Sequence, residues 1–266
     1  MNLQILNHSK EFLKLSKKSN FLKKLNLLLK ELNIKRNDNL IIHSNTAGIF
    51  QFNNRVEENL ICLFLKSIKK KIGQKGTIII PTYNYDFTKG KIYDSKKSLS
   101  QVGFLSNYLL KKNKKNRTNE PVFSHLIFGY LKKKLLKCNI SEAFGNKSIF
   151  SEMEKFKFKI LCFCCSPNSI TFLHYIEKKF NVKYRYNKYF NGFIQKKEKE
   201  KFFYKYFVGN NKFDYSIKNK KIIKLIDNIN FKEKKFGKFY CYYVNCSYLI
   251  KVLREKILHD KYYLIK

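Results

Sequence analysis

His174 and Glu177, in the run "NSITFLHYIE" (168–177), stand three residues apart. On a helix that spacing places two side chains on one face, a turn apart. A carboxylate beside a histidine orients the imidazole and favours its protonated form, the arrangement wanted for a general base. Ile170, Leu173 and Ile176 form an adjoining apolar stripe, so the pair also reads as a buried structural contact, which costs desolvation. Local chemistry leaves the two readings open.

The cysteines just upstream, in "ILCFCC", raise metal binding as a third reading. Zinc sites need four converging ligands, usually with C-x₂₋₄-C spacing and a turn between them. In an apolar strand Cys162 and Cys164 alternate onto one face and Cys165 onto the other. They are expected to be small buried hydrophobes, and no metal is expected. Seven cysteines without repeated spacing imply no disulfide framework, and a reducing cytoplasm is the expected location.

A second polar group sits in "IIHSNTAG" (41–48). His43, Ser44, Asn45 and Thr46 end an apolar strand, where ligands bind in open α/β folds. Free backbone N–H groups and hydroxyls there suit phosphate; an ordinary polar turn is the alternative. No G-x-x-x-x-G-K-[ST] or G-x-G-x-x-G loop occurs, and "TFLHYIE" holds no nucleophile elbow.

The elements that must position these groups are legible from periodicity. "SNFLKKLNLLLKELNI" (19–34) has helical spacing, with Ser19 or Asn20 as N-cap. "NLIIHSN" reads as a strand, "VEENLICLFLKSIKKKIG" as a helix closed by Gly73, and "GTIIIPTYN" as a strand ended by Pro81. Strand, helix and strand with continuous apolar strands indicate parallel pairing under helical cover. "FLSNYLLKK" is expected to be helical, "PVFSHLIFG" extended, "FKILCFCC" a buried strand and "SITFLHYIEKKF" a helix. "KFFYKYFV" reads as an antiparallel strand, and "GKFYCYYVNCSYLIKVLREKIL" as a strand and helix. "KKNKKNRTNE" reads as a surface or ligand-facing loop. The expected fold is α/β, a mixed sheet with parallel core strands covered by helices and antiparallel C-terminal strands. It forms one domain over 1–266, with a helical lead-in over 1–36.

The chain has 266 residues, 44% of them hydrophobic and 16% aromatic, enough for a sizeable core. Its net charge of +37 invites a non-catalytic nucleic-acid-binding reading. Arginine, however, occurs only at 36, 55, 117, 185 and 254, alanine only at 47 and 143, and tryptophan not at all. That lysine-, asparagine- and phenylalanine-rich bias is what A+T-rich coding produces. The lysines are spread along polar helix faces rather than clustered with arginine, so no specific nucleic-acid partner is expected. The N-terminus shows no signal-peptide pattern, and the run 160–176 is too short to span a bilayer.

Taken in order, these segments resemble the aminoglycoside 3-N-acetyltransferase family. "LIIHSNTAG", "GTIIIPTYN", "SLSQVGFLSNYLLKK", "RTNEPVFS", "FGNKS" and "NSITFLHYIE" match family motifs in sequence, over residue 37 to the C-terminal helix. A basic run, "VKYRYNKYFNG", fits the tail of that helix. The resemblance implies an antibiotic N-acetyltransferase-like fold and acetyl transfer from acetyl-CoA, as cosubstrate, to the amine of a small-molecule acceptor. The missing Q/R-x-x-G-x-G/A loop separates the chain from the commoner acetyltransferase superfamily. Carried over to this sequence, His174 is the base, Glu177 its partner, and Thr171 a hydrogen-bond donor to the acyl carbonyl or the acceptor. His43, Ser44, Asn45 and Thr46 are implied contacts to coenzyme A, and Arg117 and Ser124 are placed with its phosphates or the site wall. Two departures stand out. His125 occupies a position expected to be small or apolar, and "PTYNYDFTKGKIYD" lacks the acidic-aromatic character suited to aminoglycosides. A polycationic substrate also fits poorly on a chain at +37, which points to an amino sugar carried on a nucleotide or lipid phosphate. The sequence leaves oligomeric state open.

Overall fold

The computed structural model describes residues 18–52 and 58–265. A central sheet is built from β1 (Asn39–Ser44), β2 (Thr77–Pro81), β4 (His125–Gly129), β5 (Lys159–Phe163), β8 (Phe231–Phe236) and β9 (Phe239–Asn245), in the order β4-β2-β1-β5-β9-β8. β1 pairs in parallel with β2 on one side and β5 on the other. β2–β4, β5–β9 and β8–β9 are antiparallel, so antiparallel pairing also occurs at β4, ahead of the C-terminal region where the sequence placed it. Because the parallel partners leave β1 in opposite directions, its carboxyl end opens a crevice of the kind that holds ligands in open α/β sheets.

Alternation along the strands sorts the core into two layers. Leu40, Ile42, Ile78, Ile80, Leu161 and Phe163 face one side. There they meet the helix over 18–31 (α1), α3 (Glu58–Ile72), which follows the short α2 (Ala47–Phe50), and α4 (Phe104–Asn113). Ile41, Ile79, Ile127, Ile160 and Cys162 face the other. There the short α5 (Lys132–Leu135) precedes α6 (Ile149–Lys155) and α7 (Phe172–Lys179), and α8 (Lys218–Ile223) precedes the closing helix α9 (Cys246–His259). Gly73 ends α3 with φ +71°, as its position predicts. The described part of α1 runs through Ser19 and Asn20 rather than starting at them.

A second sheet, ordered β3-β6-β7, covers the α7 side of the molecule. β6 (Arg185–Gln195) and β7 (Lys199–Gly209) form a long antiparallel ribbon, and β3 (Tyr93–Asp94) pairs parallel to the end of β6. The run read as a basic tail of the helix is therefore a strand. Gly192 lets the ribbon lie on Phe87: a Cβ there would come within 2.8 Å of that ring.

β5 ends at Phe163, and Cys164 takes φ +57°. That turn reverses the expected facing. Cys162 packs with the α7 layer, whereas Cys164 packs with the α3 layer, its Sγ 3.6 Å from Cys241 Sγ. All seven cysteines are free thiols.

Candidate active site

The helix carrying the opening pair is set by its flanks. Ser166 Oγ accepts the Asn168 N–H, starting a 3₁₀ turn over Pro167–Ser169 that leads into α7. Asn181, with φ +50°, stops the helix, and the Val182 N–H donates back to the Glu177 carbonyl. This reversal returns the chain at once over α7. Tyr184 and Arg185, only seven and eight positions after Glu177, therefore face its side chain.

Glu177 is fully buried, and both its oxygens are occupied. The His174 Nδ1–H donates to Oε2 over 2.7 Å. Arg185 Nε lies 2.7 Å from the same oxygen, but its N–H is not aimed along that line, so Arg185 acts there as charge rather than as a directed donor. Oε1 accepts from the Tyr184 hydroxyl at 2.9 Å and from Lys218 Nζ at 2.5 Å. Burial opposes the carboxylate form, but Lys218, His174 and Arg185 overcome it and hold the group well below the ordinary carboxylate range.

His174 responds in the opposite sense to the sequence-based expectation. Burial, then the cations of Arg185 and Lys218, outweigh the pull of Glu177 and lower its pKa from 6.5 to about 4. The carboxylate's charge is shared with two other cations, so the ring is a neutral imidazole at pH 7. With Nδ1 donating to Glu177, the lone pair of a neutral ring resides on Nε2. His174 keeps 27% of its side chain exposed and lines a cavity of about 300 Å³ at the carboxyl ends of β1 and β2. A free, unprotonated nitrogen at the wall of a cavity is what a general base requires.

His43, Ser44, Tyr83, Tyr85, Ser106 and Thr171 line the same cavity. Thr171 Oγ1 donates weakly to the Ser169 carbonyl at 3.4 Å. The Tyr83 hydroxyl hydrogen-bonds Thr171 and stands 3.3 Å from His125 Nε2. His43 and His125 are both buried, each with one nitrogen lacking a hydrogen-bond partner. Burial lowers the His43 pKa to about 4; burial and then His43 lower that of His125 to about 3. A roomier groove of about 540 Å³, at the start of α9, contains none of the candidate residues.

The candidates from the sequence thus divide. His174, Thr171, His43 and Ser44 meet at one cavity, with Glu177 behind His174. Asn45 and Thr46 do not line it: Asn45 Oδ1 accepts the Ala47 N–H and the Thr46 carbonyl accepts from Ile49, forming the turn into α2. Arg117 and Ser124 are buried beside β2, away from the cavity lining. Arg117 donates to Thr82 Oγ1, to Ser124 Oγ and to the carbonyls of Thr82 and Ser98. Ser124 in turn donates to the Thr82 carbonyl at 2.7 Å. "KKNKKNRTNE" accordingly does not end as a surface loop: Asn116, Arg117, Thr118 and Glu120 are buried. Tyr83, Tyr184, Arg185 and Lys218 were missed as site residues. Arg185 stood in the quoted "VKYRY" run, whereas nothing in the local sequence marks Lys218.

A mixed α/β fold thus places a histidine, backed by a buried carboxylate, at the wall of a strand-end cavity. Residues 41–257 match the family model for aminoglycoside 3-N-acetyltransferases, and the chain belongs to that family. It is an N-acetyltransferase, which sets aside the non-catalytic reading.

The fold agrees. The YokD protein from Bacillus subtilis superposes with a TM-score of 0.75 at 15% identity, over 90% of this chain and 93% of that one. AAC-IIIb in binary complex with CoASH gives 0.74 at 12% identity, over 88% and 96%. AAC-VIa bound to sisomicin gives 0.70 at 13% identity, over 90% and 97%. No curated protein matches the chain by sequence. Among the described residues no helix is long and apolar enough to cross a membrane, and no cluster of three or more metal-ligating side chains occurs.

Proposed function

We propose that His174 is the general base for acetyl transfer to an amino sugar that is not a polycation. The observation that carries the assignment is the His174–Glu177 hydrogen bond of 2.7 Å on Nδ1, which commits that nitrogen and leaves Nε2 to the cavity. An amine attacks the thioester carbonyl, and its nitrogen becomes positively charged as the C–N bond forms. Nε2 takes a proton from that nitrogen. The C–S bond then breaks, and the proton passes on to the departing thiolate. Thr171 donates to the carbonyl oxygen as it gains charge. His43 and Ser44 contact the pantetheine end of coenzyme A at the carboxyl end of β1.

The electrostatics of the wall support the choice of acceptor. No carboxylate lines the cavity among the described residues. The nearby Glu142 is already bonded by Lys178 and held 3.0 Å from Lys205. AAC-VIa binds sisomicin, as its structure states, but a polyamine gains little from a wall without free acids on a chain at +37. An amino sugar carrying a nucleotide or lipid phosphate fits the same field, and the reaction would take place in the cytoplasm, where acetyl-CoA is made. Purified protein with acetyl-CoA is assayed against UDP- and TDP-linked amino sugars and against kanamycin-type aminoglycosides. Faster turnover of the nucleotide-linked sugars is expected; faster turnover of the aminoglycosides refutes the acceptor assignment.

A further inference from the structure

We propose that Lys218 and Arg185 are positioning residues of the acetyl transfer: by sharing the Glu177 carboxylate they hold His174 as a neutral imidazole with Nε2 free for the substrate. The proposal rests on the reading of His174 as base and extends it to two residues outside α7.

A histidine backed only by a carboxylate is drawn toward its imidazolium form, because the buried negative charge has nothing else to balance it. Here the carboxylate has three further partners. Lys218 reaches Oε1 at 2.5 Å, Tyr184 reaches the same atom at 2.9 Å, and Arg185 Nε stands 2.7 Å from Oε2. The carboxylate therefore still orients the ring, through one hydrogen bond, without charging it. A cationic ring would have to share one anion with two other cations inside a buried cluster.

Lys218 is held in place by its own segment. It lies on α8, and the next residue, Asn219, accepts a hydrogen bond of 3.1 Å from Ser166, which starts the turn into α7. Three residues before Lys218, the Tyr215 hydroxyl donates to the Tyr184 carbonyl at 2.8 Å. The α8 segment thus grips both ends of the α7 unit and delivers one ammonium between them. Lys218 is itself buried, and burial lowers its pKa below the ordinary lysine value while Glu177 pulls toward the charged form.

The titratable groups around the ring are accounted for by element. α7 supplies Glu177, the turn after it Tyr184, β6 Arg185 and α8 Lys218. Across the cavity stand His43, Tyr83 and Tyr85. Tyr206 of β7 lies near Arg185 and Glu177. Lys178 and Lys205 pair with Glu142 rather than with Glu177. Among the described residues, Lys218 and Arg185 are the lysine and arginine side chains paired with Glu177.

The test is the protonation state of His174, read by ¹⁵N NMR of its imidazole in the full chain. In the wild type the signals are those of the neutral Nδ1–H tautomer at pH 6 and at pH 5. In Lys218→Met the titration midpoint moves up by about one pH unit or more, and Lys218→Arg moves it back. An imidazolium at pH 6 in the wild type overturns the proposal, whether or not a variant folds. So does an unmoved midpoint in a folded Lys218→Met protein, which would make Lys218 a stability contact only. Because this readout needs no turnover, it is separate from the base assignment: an active His174→Ala enzyme refutes the base and leaves the titration result standing.

Discussion

Lys218 Nζ lies 2.5 Å from Glu177 Oε1, though 41 positions separate the two residues in the chain. The contact converts a local histidine–carboxylate pair into a buried cluster with two cations around one anion. Removing the anion leaves those cations uncompensated. Glu177→Gln is therefore expected to cost about 3–5 kcal/mol of stability, read as a lowered urea midpoint. Loss of under about 1 kcal/mol would show that the cluster is not balanced by Glu177.

Arg117 provides the contrasting case of a conspicuous charge that serves structure. Its donors are spent on Thr82, Ser124 and Ser98 within the loops beside β2. Arg117→Ala is expected to leave several carbonyls and hydroxyls buried without a donor. The melting temperature should drop, while the Kd for acetyl-CoA of the folded fraction, measured calorimetrically, stays within about threefold, since an exposed phosphate contact worth about 1 kcal/mol or more is not lost. A tenfold weaker Kd with an unchanged melting temperature would place Arg117 with the coenzyme instead.

Acid should destabilise the fold through its buried histidines. His43, His125 and His174 all have folded pKa values below 6.5, at about 4, 3 and 4. Between pH 6.5 and about 4 the unfolded chain binds protons that the folded chain refuses, so stability falls as pH falls. Glu120, raised by burial to about 8, works the other way. Its folded form keeps a proton that the unfolded form loses above pH 4.5, so its contribution falls as pH rises toward 8. The histidines outnumber it. Chemical denaturation should show stability dropping from pH 6.5 to 5, and His125→Leu should flatten that slope. A slope of opposite sign would contradict the buried neutral states.

Thr171 lines the cavity beside His174, and its hydroxyl makes a 3.4 Å contact to the Ser169 carbonyl and meets the Tyr83 hydroxyl. Thr171→Val keeps the shape and removes the donor. Its kcat is expected to fall about 100- to 1,000-fold, the range for loss of one donor to a developing oxyanion, with little change in KM for acetyl-CoA. Steady-state kinetics showing kcat within twofold of wild type would remove Thr171 from the reaction.

What the sequence could show follows from how local each feature is. His174 and Glu177 were legible because i and i+3 on one short helix fix their proximity without tertiary information. The strands β1, β2 and β5 were legible as unbroken apolar runs between two helical layers. β6 was not. Its residues 186–189 are all exposed, so neither alternation nor an apolar run marks the strand. Cys164 was assigned to the wrong face because its left-handed backbone breaks the two-residue alternation at the strand end. The neutral state of His174 was out of reach for a different reason. It depends on Lys218, whose arrival at Glu177 is decided by how the α8 segment packs.

The central claim is that His174 removes the proton during acetyl transfer. The direct measurement is single-turnover formation of acetylated amino sugar by wild type and His174→Ala, with acetyl-CoA binding measured alongside. Loss of rate by about 10²–10⁴-fold, with binding and melting temperature retained, is the predicted result. A His174→Ala protein that transfers acetyl within a few-fold of wild type would contradict the account.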